Sequence, residues 1–149
     1  NVHISSRNYF ISGGGLVLMI RCNFNDLKVF RNNLGKLTNT EYDRLAEECC
    51  NEIAARLLRM TKQNTPVDTG HLKRSWKMEA ARKNGNVWCS VVYNTADYAM
   101  YVEYGHRTTN HKGWVTGRFM LTNAEKEIER IVPQLLEKRL LQKLGELFD

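Results

Sequence analysis

The chain of 149 residues predicts an α+β fold, a small antiparallel sheet packed against long amphipathic helices, on three observations. Two long stretches, Glu41 to Gln63 and Thr122 to about Phe148, repeat apolar residues at steps of three and four, the spacing of one helix face. Two short stretches, Leu16 to Phe24 and Asn86 to Asn94, alternate instead and so read as strands. Between the second strand and the run before it lies Asn84-Gly85, a dipeptide that favours the left-handed backbone of a tight hairpin turn.

In chain order, residues 1–18 are polar, then carry Gly13, Gly14 and Gly15, then an apolar triplet leading to Met19. They are expected to be an N-terminal appendage or extension, with residues 19–149 forming a single α+β domain. Met19 is a candidate native start, because Gly-Gly codons just upstream can spell a ribosome-binding purine run. The first strand puts Ile20, Cys22 and Phe24 on one face and Arg21 and Asn23 on the other. Asn25 or Asp26 then caps a short amphipathic helix in which Leu27, Phe30, Leu34 and Leu37 share a face, with Gly35 weakening its end.

The clearest helix, Glu41 to Gln63, aligns Leu45, Cys49, Ile53, Leu57 and Met60 in one stripe. Thr40 is the expected cap, with Asp43 as its acidic partner, and Pro66 ends the helix by excluding Thr65 from helical geometry. Strands over Leu72 to Ala80 and Asn86 to Asn94 follow. In the second, Val87, Cys89, Val91 and Tyr93 share one face and Trp88, Ser90, Val92 and Asn94 the other. A short helix from Ala96 to Tyr104 stops at Gly105. From His106 to Arg118 no period of either kind is visible, so this stretch is expected to be a polar loop. Thr122 and Glu125 form a capping box for the last helix, which buries Ile128, Ile131, Val132, Leu135, Leu140 and Leu144 and is kinked at Pro133.

Apolar residues at 42% and charged residues at 26% are ordinary for a folded chain and unlike a disordered one. The net charge of +6, from 22 Lys and Arg against 16 Asp and Glu, favours anionic partners, but the bases are spread along the chain and interleaved with acids. The cysteines, Cys22, Cys49, Cys50 and Cys89, lack the Cys-x-x-Cys spacing of zinc or redox sites and read as buried reduced thiols, which suits a cytosolic history. No apolar run is long enough for a membrane span, and the first residues lack the pattern of a secretory signal.

No nucleophile elbow, phosphate loop or zinc-helix motif occurs, so the chain is not expected to be an enzyme and no cofactor is implied. His106 and His111, with His71 elsewhere, do not have the spacing of metal ligands. Asp68 and Glu103 could be paired carboxylates for acid–base work, yet an Asp before Thr-Gly is more simply a turn former that bonds its own backbone. The richest constellation is His106, Arg107, His111, Lys112 and Arg118 around Trp114. Cations beside a Trp suit a protein interface, and this is the primary reading; they also grip phosphates and stack bases, which is the alternative.

The order of fragments carries further information. Thr65-Pro66-Val67-Asp68-Thr69-Gly70-His71-Leu72 precedes Ser75, then come Asn94, Tyr98-Ala99 and Tyr101-Val102-Glu103-Tyr104-Gly105, and finally Gly113-Trp114 and Gly117-Arg118-Phe119-Met120-Leu121. This resembles the phage family typified by gene product ten of a lambda-like siphophage, the head-tail joining, neck or tail-completion proteins. Many members continue Gly-Thr after the short helix and Pro-x-Phe before the last one, where this chain has Gly105-His106 and Gly117-Arg118-Phe119.

The resemblance implies a non-enzymatic virion protein made in the host bacterial cytoplasm and placed in the neck or tail, where it assembles as a homo-oligomeric ring. Its implied partners are copies of itself, the portal-adaptor protein and the tail-tube or tail-terminator protein, with transient contact to phage DNA and none to a membrane. Pro66, Asp68, Thr69, Gly70, Tyr98, Glu103 and Gly105 would be scaffold. Subunit or DNA contacts would fall to His106, Arg107, His111, Lys112, Trp114 and Arg118.

Overall fold

A computed structural model describes residues 16–22 and 38–148. Strand β1 spans Leu16–Cys22, helix α1 Asn39–Asn64, the single turn α2 His71–Arg74, strands β2 and β3 Trp76–Asn84 and Val87–Asn94, and helix α3 Ala99–Tyr104. Strands β4 (Gly105–Arg107) and β5 (Trp114–Thr116) and helix α4 (Met120–Phe148) complete the described chain. The result is the expected α+β arrangement, with β1, β3 and β2 as an antiparallel sheet in that order and α1 lying across it. The expected helix over 25–37, Asn23 and Phe24 lie outside the described residues.

Helix α1 forms where its stripe requires, burying Tyr42, Leu45, Cys49, Cys50, Ile53, Ala54 and Leu57. Its cap differs from expectation. Thr38, not Thr40, accepts from the Glu41 N–H at 3.2 Å, and the Glu41 carboxylate returns to the Thr38 N–H at 2.9 Å, closing a reciprocal box two residues earlier. Toward the other end, hydroxyls bond back to carbonyls one turn earlier: Thr61 donates to the Leu57 carbonyl at 2.8 Å and Thr65 to the Thr61 carbonyl at 2.6 Å. The buried Trp76 indole then donates to the Thr65 hydroxyl at 2.9 Å, tying the helix end to β2.

Some of the expected boundaries shift: helix α3, expected from Ala96, starts at Ala99. Residues 71–74 form the turn α2 instead of opening a strand, so β2 starts only at Trp76 and runs to Asn84. Between Glu79 and Arg82 the β2–β3 register slips, and the freed Ala81 N–H is taken by the Asn51 side chain of α1 at 2.7 Å. In β3 the face of Trp88, Ser90, Val92 and Asn94 is the buried one, while Val87, Cys89, Val91 and Tyr93 are half-buried. Of the thiols, Cys22, Cys49 and Cys50 are buried and Cys89 is only half so. Burial pushes the Cys49 thiol up to about 11, and a hydrogen bond with Cys50, then burial, pushes Cys22 up.

Helix α4 packs antiparallel to α1: Asn64 Nδ2 donates to the Met120 carbonyl at 3.1 Å, and Arg139 meets Glu52 at 2.6 Å farther along. Met120, Leu121, Ala124, Ile128, Val132, Leu135 and Leu136 are buried, with Ile131 and Leu140 partly so. Fully burying one such aliphatic side chain is worth roughly 1.5–3 kcal/mol, so this seam outweighs the surface ion pairs beside it. The helix continues through Pro133, which sits on its exposed side and offers no N–H to the Glu129 carbonyl, the local condition for a kink.

Candidate interaction site

Residues 105–119 are built as a rooted arm, not the aperiodic loop expected. Gly105 pairs with Thr116, His106 with Val115 and Arg107 with Trp114 in a two-stranded sheet separate from the main one. The tip is closed by its own polar groups. The Thr108 hydroxyl accepts from the Gly113 N–H at 3.0 Å and donates to Asn110 Oδ1 at 2.6 Å, while Asn110 Oδ1 also accepts from the Lys112 N–H at 3.1 Å. His111, at φ 56°, turns the chain there in the left-handed region, which is unusual for a residue with a side chain.

The root is more tightly fixed than the tip. The Arg118 N–H donates to the Val102 carbonyl at 2.7 Å and the Phe119 N–H to the Glu103 carbonyl at 3.0 Å, so the returning strand satisfies the open end of α3. Two glycines permit this crossing. A Cβ on Gly105 would strike the Val115 carbonyl, and one on Gly117 would strike the Glu103 carbonyl. Gly105 also needs its φ of +85°, which L side chains rarely adopt.

Glu103 joins the arm to the last helix. Its side chain is fully buried, with Oε2 accepting from the Leu121 N–H at 3.0 Å and Oε1 from the Thr122 N–H at 2.9 Å and hydroxyl at 2.7 Å. A carboxylate there meets both the unsatisfied N–H groups and the positive end of the helix dipole. The expected cap of α4 by Thr122 is therefore corrected: Thr122 donates to Glu103, and the cap comes from 18 residues upstream.

Above this base the arm is exposed. Trp114 is 62% exposed and its indole lies against Gly105, while Val115, Phe119, His106, Arg107, His111, Lys112 and Arg118 also face outward. From Tyr104 to Ala124 the chain has three Lys or Arg and two His but no Asp or Glu, so the arm is uniformly basic. Tyr101, 60% exposed on α3, sits edge-on to His106 with ring centroids 5.9 Å apart. Sequence reasoning missed Tyr101, Val115 and Phe119 as part of this surface; the Tyr98, Tyr101 spacing of one helical turn was the available signal.

The other motif residues gather on the far side of α3. Pro66, Asp68, Thr69 and Gly70 form the turn into α2, with Gly70 at φ +79°. Its side-chain bond comes from Thr69, whose hydroxyl accepts from the His71 N–H at 3.3 Å, and not from Asp68, which is exposed. His71 Nδ1 lies 3.1 Å from the Tyr98 hydroxyl. The structure thus separates the two carboxylates that the sequence offers as a candidate acid–base pair: Glu103 caps a helix within the core, and Asp68 stands on the surface. Among the described residues no group of three or more His, Cys, Asp or Glu is placed to hold a metal ion, and no helix is long and apolar enough to cross a membrane.

Residues 28–105 match a protein family described as "Bacteriophage HK97-gp10, putative tail-component". The matched stretch is just over half the chain and ends at Gly105, where the arm begins. No curated protein and no solved structure matches.

Proposed function

Because the chain belongs to the HK97-gp10-like family of bacteriophage tail components, we propose that it is a non-enzymatic structural protein of the neck, acting in head–tail joining or tail completion as a homo-oligomeric ring. The observation that carries this is the arm: an exposed Trp and a set of cations held on a base that has no freedom to collapse. Trp and Arg are the residues that dominate binding energy at protein interfaces, and pre-ordering them removes an entropic cost of association. Ring neighbours and the adaptor and tail-tube proteins are the partners this reading requires.

Light scattering coupled to size exclusion, with negative-stain imaging, tests it on the protein alone and mixed with adaptor and tail-tube proteins. Rings, or stable complexes with either protein, are expected; a strict monomer indifferent to both would overturn the reading.

The absence of any acid between Tyr104 and Ala124 favours one second reading, contact of the arm with DNA. It requires binding to duplex or single-stranded DNA that falls steeply with salt and with Arg107 and Lys112 changed to Ala. Binding indifferent to both changes would exclude it.

A further inference from the structure

We propose that the arm of one copy seats its Trp114 in a groove beside α3 of a second copy; this rests on the homo-oligomer reading above and names its contact. The groove, of about 440 Å³, lies between the turn into α2 and helix α3 and is lined by Pro66, Val67, Leu72, Tyr98 and Val102. Val67 on its wall is 63% exposed, so apolar surface stands open there.

Three observations identify the occupant as a second copy. The first is charge. Asp68 lines the groove and Asp97 precedes Tyr98, both exposed and neither in an ion pair among the described residues, while Arg74 on the turn side is engaged by the Thr69 carbonyl at 3.3 Å and His71 by the Tyr98 hydroxyl. The arm brings Arg107, Lys112 and Arg118 with no acid of its own. The second is chemistry: the arm presents a large indole with one N–H donor, and the groove is lined both by apolar side chains and by the polar groups of Thr69, His71 and Tyr98. The third is reach. Trp114 is held against Gly105 by the β4–β5 pairing and is not among the residues lining the groove of its own copy, although Val102 of that groove lies three residues before Gly105. The groove is therefore left open to the arm of another copy. Knob and groove are different surfaces, and each copy offers both, which is the head-to-tail arrangement from which rings close.

The experiment uses two variants of the full chain, Trp114→Ala without the knob and Asp68→Lys/Asp97→Lys with a repelling groove. All three positions are exposed, and circular dichroism confirms the fold. By analytical ultracentrifugation the wild type associates, and each variant alone does so about thirtyfold more weakly or worse. Mixed in equal amounts, the two form a 1:1 heterodimer that grows no further, since one intact knob meets one intact groove and the other ends are blocked.

Association undiminished in both variants would overturn this contact and leave the ring reading standing. A wild type that stays monomeric at millimolar concentration would overturn this contact, and the ring reading with it if the protein also ignores the adaptor and tail-tube proteins. Weakened variants whose mixture stays monomeric would also overturn the pairing. A photo-crosslinking phenylalanine at position 114 reads the contact without removing it: crosslinks to residues 66–72 or 97–102 of another copy support it, and crosslinks confined elsewhere overturn it.

Discussion

Glu103 shows what one buried carboxylate can organise. It accepts three hydrogen bonds from the first turn of α4 while its own backbone carbonyl holds Phe119, so one residue fixes both the arm and the helix that follows. Glu103→Gln keeps the shape but loses the charge and turns an N–H₂ toward a backbone donor. It is expected to cost about 2–3 kcal/mol in denaturant unfolding at neutral pH, with the denaturant dependence unchanged. A change below about 0.5 kcal/mol would mean that the cap contributes little beyond what surface positions do. This role was not legible in the sequence, because a local pattern, Thr122 with Glu125, fits the capping rule equally well and its competitor lies 18 residues away. The same ambiguity misplaced the cap of α1, where two overlapping Thr/acid pairs exist and only the backbone decides for Thr38 and Glu41.

Elements were legible in proportion to how unevenly they are buried. Helices α1 and α4 face a core on one side, so selection for apolar side chains there writes a helical period into the chain. Strand β3, buried on alternate residues, was equally plain. The β4–β5 hairpin was invisible because β5 is exposed at every position and has no inner face to pattern. Between α1 and α4 the long seam is clamped by Glu52, which receives Arg56 at 2.9 Å and Arg139 at 2.6 Å. Burial works to raise this carboxyl, but the two guanidinium groups outweigh it and hold it below its ordinary range. Its folded-state value is depressed, so its contribution is present above the unfolded carboxylate pKa of about 4.3 and is lost as pH falls through the folded value. Thermal melts between pH 7 and pH 3 are therefore expected to show wild type losing its advantage over Glu52→Gln. A constant gap across that range would contradict the clamp.

At the scale of the whole molecule, the helix pair and main sheet form one body, and the arm stands off it. Each arm residue from Arg107 to Trp114 is exposed except Thr108, which is half-buried and serves the tip alone. Replacing residues 107–114 by an Asn-Gly turn is thus expected to move the melting midpoint by no more than about 2–4 °C, while abolishing self-association. A collapse of stability would show that the arm is part of the core. The family was readable from the order of small motifs between Thr65 and Leu121, of which those before Gly105 fix the turn into α2 and the short helix α3. The arm's cations around Trp114 were legible in the sequence as well; what was not legible is the β4–β5 pairing that orders them and the exposure of Tyr101, Val115 and Phe119 beside them.

Gly105 and Gly117 have a consequence for how such a protein can change over time. Gly105 marks where the arm's two strands press on each other and Gly117 where the returning strand presses on the end of α3, and between them most side chains are exposed. A lineage can therefore rewrite residues 106–116, altering their size, charge or aromatic content, without reopening the folding problem that Glu103 and the two glycines solve. The arm is a replaceable fitting on a fixed socket, so under the proposed interface role a change of partner requires new letters in one short stretch and leaves the rest of the gene undisturbed.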